Sequence, residues 1–190
     1  RISGQFSFDL DQDNDQDLVH LEFTSPSKLM WYENYLNGQF FAKHVISDSI
    51  GQLTNMFENI GDVDDDGDLD LAAGDNSKGE ILWFENSGDK DHWIQHKIAD
   101  VPPFSIRWIT TIDIDGDDDL DIVASVKDTI VSFINELPAL SWVKHNVAPL
   151  PGESYVFQSA DIDNDGDRDL VTHGYQDGLL LWYENPSWDQ

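Results

Sequence analysis

The acidic stretch Asp62-Val-Asp-Asp-Asp-Gly-Asp-Leu-Asp70 decides the fold, because the chain repeats its pattern three more times without gaps. The other copies are residues 9–17, 113–121 and 161–169, and successive copies begin 53, 51 and 48 residues apart. Aspartate occupies positions 1, 3, 5, 7 and 9 of every nine-residue copy, and the copies hold 22 of the 38 acidic residues. The acidity is therefore concentrated in four equivalent loops.

Two further motifs keep the same period. An aromatic motif appears in four copies, namely Trp31-Tyr-Glu-Asn34, Trp83-Phe-Glu-Asn86, Ser132-Phe-Ile-Asn135 and Trp182-Tyr-Glu-Asn185. A histidine follows the asparagine by ten residues in the first three copies, as His44, His96 and His145. Motifs that share a period of 40 to 50 residues with strand-like segments are typical of a β-propeller with one blade per repeat.

The first three repeats each contain four short apolar or aromatic runs separated by turn residues, and no segment shows convincing helical periodicity. We therefore predict an all-β chain, a single β-propeller domain over residues 1–190. Its repeats cover about residues 1–46, 47–98, 99–147 and 148–190. The fourth repeat has room for only three strands, so we expect either a ring with an incomplete last blade or part of a larger or dimer-closed ring. An open sheet edge favours association, and hence the second arrangement.

Composition excludes several classes of function. The formal net charge of −28 opposes binding to nucleic acid or to an anionic membrane surface. No run of 18 apolar residues occurs, so we expect no membrane insertion. The chain has no cysteine, which rules out disulfides and thiolate metal sites.

The spacing of the aspartates points to calcium, a hard cation that takes six to eight oxygen ligands. Alternate residues of a tight loop can direct carboxylates at one centre, and position 6 needs a left-handed backbone, which Gly67 and Gly166 adopt easily. We expect about four Ca²⁺ ions per chain, with the two loops that have Asn14 and Asp118 at position 6 somewhat weaker. The candidate metal residues are Asp9, Asp11, Asp13, Asp15, Asp17, Asp62, Asp64, Asp66, Asp68, Asp70, Asp113, Asp115, Asp117, Asp119, Asp121, Asp161, Asp163, Asp165, Asp167 and Asp169.

Two other interpretations of these loops are less favourable. A solvated acidic turn explains one loop, but four loops in phase would crowd repelling carboxylates without a benefit. An EF-hand needs a bidentate Glu at position 12 and flanking helices. The four residues at position 12 are instead His20, Ala73, Ala124 and Thr172.

The aspartate loop followed by Trp-Tyr-Glu-Asn and His-x-Ile resembles the FG-GAP/VCBS-type repeat of extracellular β-propellers, over nearly the whole chain. The resemblance implies that the loop joins the first two strands of a blade and binds calcium on the face opposite the usual ligand surface. It also implies side-chain ligands at positions 1, 3, 5 and 9 and a carbonyl ligand at position 7. The chain lacks Phe-Gly and Gly-Ala-Pro tripeptides, so the integrin-like subgroup is a poor guide to its partners.

The periodic His, Trp and Glu residues are better explained by structure than by chemistry. His44, His96 and His145 lie on different blades, Trp31, Trp83 and Trp182 suit an inter-blade core, and Glu33, Glu85 and Glu184 keep one repeat phase. Glycosidase chemistry would need two carboxylates on one site. We therefore predict no catalytic residues. Under the resemblance, exposed aromatics on the ligand face are weak candidates for ligand binding: Phe104, Trp108, Tyr155 and Tyr175.

These features predict a calcium-binding, non-enzymatic module that binds carbohydrate or protein ligands as a scaffold. Sites in the weak range of extracellular modules, roughly 10⁻⁴–10⁻³ M, suit secretion or the periplasm. The alternative is the propeller part of a polysaccharide-degrading, lyase-like enzyme. We also expect a homo-oligomer or a larger parent protein to complete the propeller.

Overall fold

The described part of the protein is built from antiparallel β-strands. The computed structural model describes residues 2–22, 26–35, 38–53, 60–150, 157–173 and 180–185. These ranges hold fifteen strands and no helix. In them there is accordingly no helix with the length and hydrophobicity needed to cross a membrane. The predicted all-β class is confirmed.

The strands form four separate sheets in chain order. Sheet 1 contains β1 (Ile2–Phe8), β2 (Asp17–Glu22), β3 (Ser27–Tyr35) and β4 (Phe40–Ile50). Sheet 2 contains β5 (Ile60–Gly61), β6 (Asp70–Asp75), β7 (Glu80–Asn86) and β8 (Trp93–Asp100). Sheet 3 contains β9 (Ile106–Ile112), β10 (Asp121–Val126), β11 (Thr129–Glu136) and β12 (Ser141–Pro149). Sheet 4 contains β13 (Phe157–Ala160), β14 (Asp169–His173) and β15 (Leu180–Tyr183).

Each sheet is a meander in which neighbours in sequence are neighbours in space. The four acidic loops all connect the first strand of a sheet to the second, so all four occupy the same end of their sheets. Sheet 4 has three strands among the described residues, as the count of strand segments predicted. The sheets therefore have the form of propeller blades, and the described residues supply three strands of the last one.

Three hydrophobic clusters hold consecutive sheets together. Representative members are Leu29 and Leu82 between sheets 1 and 2, Ile81 and Ile122 between sheets 2 and 3, and Ile130 and Leu170 between sheets 3 and 4. Strands β6 and β10 are buried at every residue, because a neighbouring sheet covers each of their faces. No such cluster joins sheet 4 back to sheet 1, so the sheets of the described residues do not close into a ring.

The open face of sheet 4 exposes apolar positions that are buried in the other three sheets. Leu180 is 75% exposed, Trp182 is 47% exposed and Ile162 is 46% exposed. The residues at the corresponding positions of sheets 1 to 3 are all buried: Leu29, Ile81 and Ile130; Trp31, Trp83 and Ser132; Leu10, Val63 and Ile114. The expected core role is thus met by Trp31 and Trp83 but is wrong for Trp182, because no following sheet covers it in the described structure.

Buried asparagine amides also connect neighbouring sheets. The Asn135 amide nitrogen in β11 donates to the carbonyl oxygen of Val63 at 2.8 Å, in the acidic loop of sheet 2. The Asn185 amide nitrogen donates to the carbonyl of Ile114 at 2.6 Å, in the acidic loop of sheet 3. Each amide thus satisfies a backbone acceptor that packing has removed from water.

Replacing Asn135 with alanine should lower the free energy of unfolding by about 2 kcal/mol, because the Val63 carbonyl then stays buried without a donor. Urea denaturation measures this change. The matched control is Asn146→Ala, since Asn146 is exposed on β12 and its loss should cost less than about 0.5 kcal/mol. Equal effects of the two substitutions would contradict the proposed link between the sheets.

Candidate metal centres

The four acidic loops share one backbone conformation. Position 6 has a positive φ in every loop, with values of 74° at Asn14, 98° at Gly67, 75° at Asp118 and 105° at Gly166. This confirms the left-handed turn predicted there. Position 4 is left-handed as well, which the sequence reasoning missed. Its occupants are Gln12, Asp65, Gly116 and Asn164, with φ from 57° to 82°, and three of these are residue types that tolerate this conformation.

Carboxylates at positions 1 and 5 stabilise the turn by accepting backbone hydrogen bonds. At position 1, one oxygen accepts from the N–H of position 6, for example Gly67 N to Asp62 Oδ2 at 2.9 Å. At position 5, one oxygen accepts from the N–H of position 7, for example Asp68 N to Asp66 Oδ1 at 2.9 Å. Both contacts recur in all four loops. The loop is therefore a defined structure in which backbone N–H groups hold the carboxylates at positions 1 and 5; in Asp62 and Asp113 both oxygens accept such a bond.

Carboxylates of each loop gather in a group that can hold a metal ion. In each loop, three carboxylates place one oxygen each within 4.8 Å of one another. The groups are Asp9, Asp11 and Asp13; Asp62, Asp64 and Asp66; Asp113, Asp115 and Asp121; Asp161, Asp163 and Asp165. The structure thus brings together positions 1, 3 and 5 in three loops, and positions 1, 3 and 9 in the third.

Several carboxylate oxygens of the first three loops are buried and have no hydrogen-bond partner. In the first loop, Asp9 Oδ1, Asp11 Oδ1 and Asp15 Oδ1 are buried and have no partner, as are Asp64 Oδ1 and Asp119 Oδ1 in the next two loops. An unpaired buried carboxylate oxygen is costly unless a cation or a donor reaches it. The donor set consists only of oxygen, which suits a hard divalent ion such as Ca²⁺. The residues present therefore fit calcium.

The aspartate at position 9 has a second, structural role. Its carboxylate is fully buried in every loop, as Asp17, Asp70, Asp121 and Asp169. One oxygen accepts from the N–H of position 2, and the other accepts from the N–H of the asparagine that ends the aromatic motif, as in Val63 N at 3.0 Å and Asn86 N at 2.8 Å to Asp70. The same pair recurs in the other sheets. Its metal-ligand role, and the expected carbonyl ligand at position 7, stay predictions.

Burial disfavours the charged form of several of these carboxyl groups. Desolvation, with a smaller contribution from neighbouring carboxylates, raises the pKa of Asp64 and of Asp119 to about 6. Desolvation also raises the pKa of Asp70 and of Asp121 to about 7, although two backbone N–H groups oppose the shift. Without a cation, the loops thus hold carboxylates whose ionisation works against folding.

The periodic tryptophan, histidine and glutamate form a stack on the third and fourth strands of sheets 1 and 2. The rings of Trp31 and His44 stack with centroids 4.5 Å apart, and His44 Nε2 lies 3.0 Å from Glu33 Oε2. Trp83 and His96 stack at 4.3 Å, and His96 Nε2 lies 2.6 Å from Glu85. These contacts agree with a structural role.

The aromatic candidates for ligand binding differ in accessibility. Phe104 is largely exposed in the segment between β8 and β9. The expected exposure of Trp108 is corrected by the structure, because its ring is 4% exposed and packs in the cluster between sheets 3 and 4. Tyr155 and Tyr175 lie outside the described residues. Phe104 alone of these four is thus described as an accessible aromatic ring.

Comparison with known families supports the interpretation of the repeat. Residues 62–124 match the family model of the FG-GAP-like repeat. This segment carries an FG-GAP-like repeat. The match begins at the first aspartate of the second loop, includes the whole third loop and ends in β10, so it covers about a third of the chain. The first and fourth loops lie outside the match but have the same backbone turns. No curated protein matches the chain.

In the FG-GAP-like segment and its neighbours, the raised pKa values predict how the free energy of unfolding of the metal-free protein depends on pH. A group with a raised pKa in the folded state stabilises folding below its unfolded pKa, near 4, and loses this effect as pH rises through 6 to 7. In chelator, the urea midpoint should therefore be higher at about pH 5.5 than at about pH 8. Glu33, Asp75 and Asp169 have lowered pKa values, so the stability that they contribute is constant above about pH 4 and is lost only below it; they do not affect this comparison.

Saturating calcium should reduce or reverse this trend, because the ion favours the ionised carboxylates and competes with protons. A midpoint in chelator that rises from pH 5.5 to pH 8 would contradict the assignment of desolvated carboxyl groups.

Proposed function

We propose that the protein is a calcium-binding β-propeller-type module that acts as a non-enzymatic scaffold for a carbohydrate or protein ligand. The observation that carries the proposal is the set of buried, unpartnered carboxylate oxygens in the first three loops, together with the grouping of three carboxylates in each of the four loops. An acidic turn evolved only for solubility would direct its carboxylates into water. Here they converge instead, and their hydrogen bonds hold them in that arrangement.

Calcium would act as a structural ion. Asp9, Asp11 and Asp13 would hold it in the first loop, and the corresponding groups would hold it in the other three. Because the binding groups converge only in the folded chain, binding free energy adds to the free energy of unfolding. Four ions would bring the formal charge from −28 to about −20.

An extracellular or periplasmic location follows from the same chemistry. Sites of the weak extracellular class fill at roughly millimolar calcium and stay empty at cytosolic levels. A protein that depends on such sites for its stability belongs where calcium is abundant. The absence of cysteine means that calcium, and not a disulfide, would supply the rigidity.

The ligand surface would lie at the end of the sheets opposite the calcium loops. Strand β9 runs from Ile106 toward the acidic loop at residue 113, so the segment that carries Phe104 lies at the other end. An exposed aromatic ring is a common anchor for sugars and proteins. A glycan array probed in calcium, with Phe104→Ala as the comparison, separates carbohydrate binding from protein binding.

Calcium should raise the melting temperature by several degrees over chelator, and metal analysis of the dialysed protein should find about four ions per chain. Asp62→Asn combined with Asp64→Asn should remove one ion and part of the thermal shift. Asp128→Asn is the matched control, because Asp128 is exposed in the turn between β10 and β11 and should leave both values unchanged. An unchanged melting temperature in chelator would remove the calcium proposal.

A further partner would cover the open face of sheet 4. In the three packed interfaces, a neighbouring sheet buries the residues that correspond to Leu180 and Trp182. Another sheet of the same repeat type would therefore fit the open face of sheet 4. We propose that a second copy of the chain supplies it and that the chain forms a homo-oligomer.

Sedimentation velocity should then show a species larger than the monomer, and Leu180→Glu should shift the population to monomer. The control Leu140→Glu changes an apolar residue in the turn before β12, away from this face, and should leave the association intact. A wild-type monomer would contradict self-association and leave a larger parent protein as the source of the covering sheet.

A further inference from the structure

Lys90 reaches from sheet 2 into the first acidic loop of sheet 1. It lies in the turn between β7 and β8, and its ammonium group donates to Asp11 Oδ2 at 2.7 Å and also to Glu33. The Asp11 side chain is 10% exposed and that of Glu33 is 2% exposed. The lysine therefore neutralises two largely buried carboxylates, one of which belongs to the metal group of the first loop.

The two oxygens of Asp11 have different surroundings. Oδ2 binds Lys90, whereas Oδ1 is buried and has no hydrogen-bond partner. Asp11 also belongs to the group formed with Asp9 and Asp13. Lys90 thus holds the carboxylate through one oxygen while the other remains available to an ion.

Further contacts fix this arrangement between the two sheets. Glu33 also accepts from Tyr35 at 2.7 Å and lies 3.0 Å from His44. The other ring nitrogen of His44 lies 2.8 Å from Asp91, the residue that follows Lys90. The turn that carries Lys90 is therefore joined to sheet 1 at two neighbouring residues, so the ammonium group is held beside the loop.

The second loop provides a comparison within the same molecule. Asp64 corresponds to Asp11, and Glu85 corresponds to Glu33. Counted from the asparagine of the aromatic motif, Ala139 corresponds to Lys90. Asp64 Oδ1 is likewise buried without a partner. The negative charge of Glu85 acts on Asp64, whereas in the first loop Lys90 lies between Glu33 and Asp11. The two loops thus differ in one built-in cation.

We propose that Lys90 is a positioning residue and permanent counter-cation of the first loop, which makes this loop less dependent on calcium than the second. The inference rests on the proposed calcium function. Lys90 stabilises the metal-free loop by offsetting the repulsion among its carboxylates. It also opposes calcium binding, since both cations act on Asp11.

The test compares melting temperatures in chelator and in calcium for the wild type, Lys90→Gln, Lys90→Arg and Lys97→Gln. Lys90→Gln should lower the melting temperature more in chelator than in calcium, and should tighten calcium binding by the first loop by about tenfold, since a nearby positive charge is removed. Lys90→Arg keeps the charge and should resemble the wild type. Lys97→Gln is the matched control, because Lys97 is in the same sheet but pairs with exposed Asp100.

A second background shows whether the effect acts through the first loop. With Asp9→Asn and Asp13→Asn together, which disable this loop, Lys90→Gln should no longer enlarge the calcium-dependent shift. If Lys90→Gln folds only in calcium while the wild type also folds in chelator, the proposal is supported in the same way.

Two results would overturn the proposal while leaving the calcium function intact. One is that Lys90→Gln lowers the melting temperature equally with and without calcium, which would mean that Lys90 only forms an ion pair between the two sheets. The other is an enlarged calcium shift that persists when the first loop is disabled. A wild type that shows no response to calcium would instead overturn the proposed function and this inference together.

Discussion

At the base of every acidic loop, a fully buried carboxylate accepts one N–H from the loop and another from the third strand. This aspartate, at position 9, begins the second strand of the sheet, and its carboxylate connects the acidic loop to the end of the third strand. The hydrogen bonds compensate in part for removing the carboxylate from water, and they fix where the loop begins and ends. The other aspartates lie in the turn that this anchor closes, and three carboxylates of each loop come together there. The geometry of the metal groups is thus set by the same contacts that hold the sheet together.

Charge and packing are separated along each sheet. The apolar contacts lie between the faces of consecutive sheets, whereas most of the acidic residues lie in loops at one end. Ten basic residues against 38 acidic ones cannot balance that end of the molecule. Lys90 places a cation directly on a candidate metal ligand of the first loop. A divalent ion is the natural counterpart for the remaining carboxylates, because it neutralises several at once at short range.

The repeated features of this protein could be predicted from the sequence, and the unique ones could not. The left-handed turn at position 6, the place of the loops between first and second strands, and the burial of Trp31 and Trp83 all follow from local patterns. The left-handed backbone at position 4 was missed because Gln12 gives no sign of it.

Features that depend on how neighbouring sheets are placed were beyond the reach of the repeat pattern. Trp108 is buried and Trp182 is exposed, because the first lies between two sheets and the second on an uncovered face. The contact of Lys90 with Asp11 joins residues 79 positions apart and belongs to no repeated motif. Such lateral contacts are decided by three-dimensional packing, which a one-dimensional period does not encode.

The open stack of sheets has a consequence for how cooperatively the molecule unfolds. Each sheet packs only on its immediate neighbours in the described structure, as in linear repeat arrays, whose stability is a sum of unit and nearest-neighbour terms. Sheet 4 has one packed face, so it can detach without disturbing the contact between sheets 1 and 2. Amide exchange would accordingly be slowest in the middle of the stack and faster in the two terminal sheets. A partner that covers sheet 4 would make the unfolding of that sheet more cooperative with the rest.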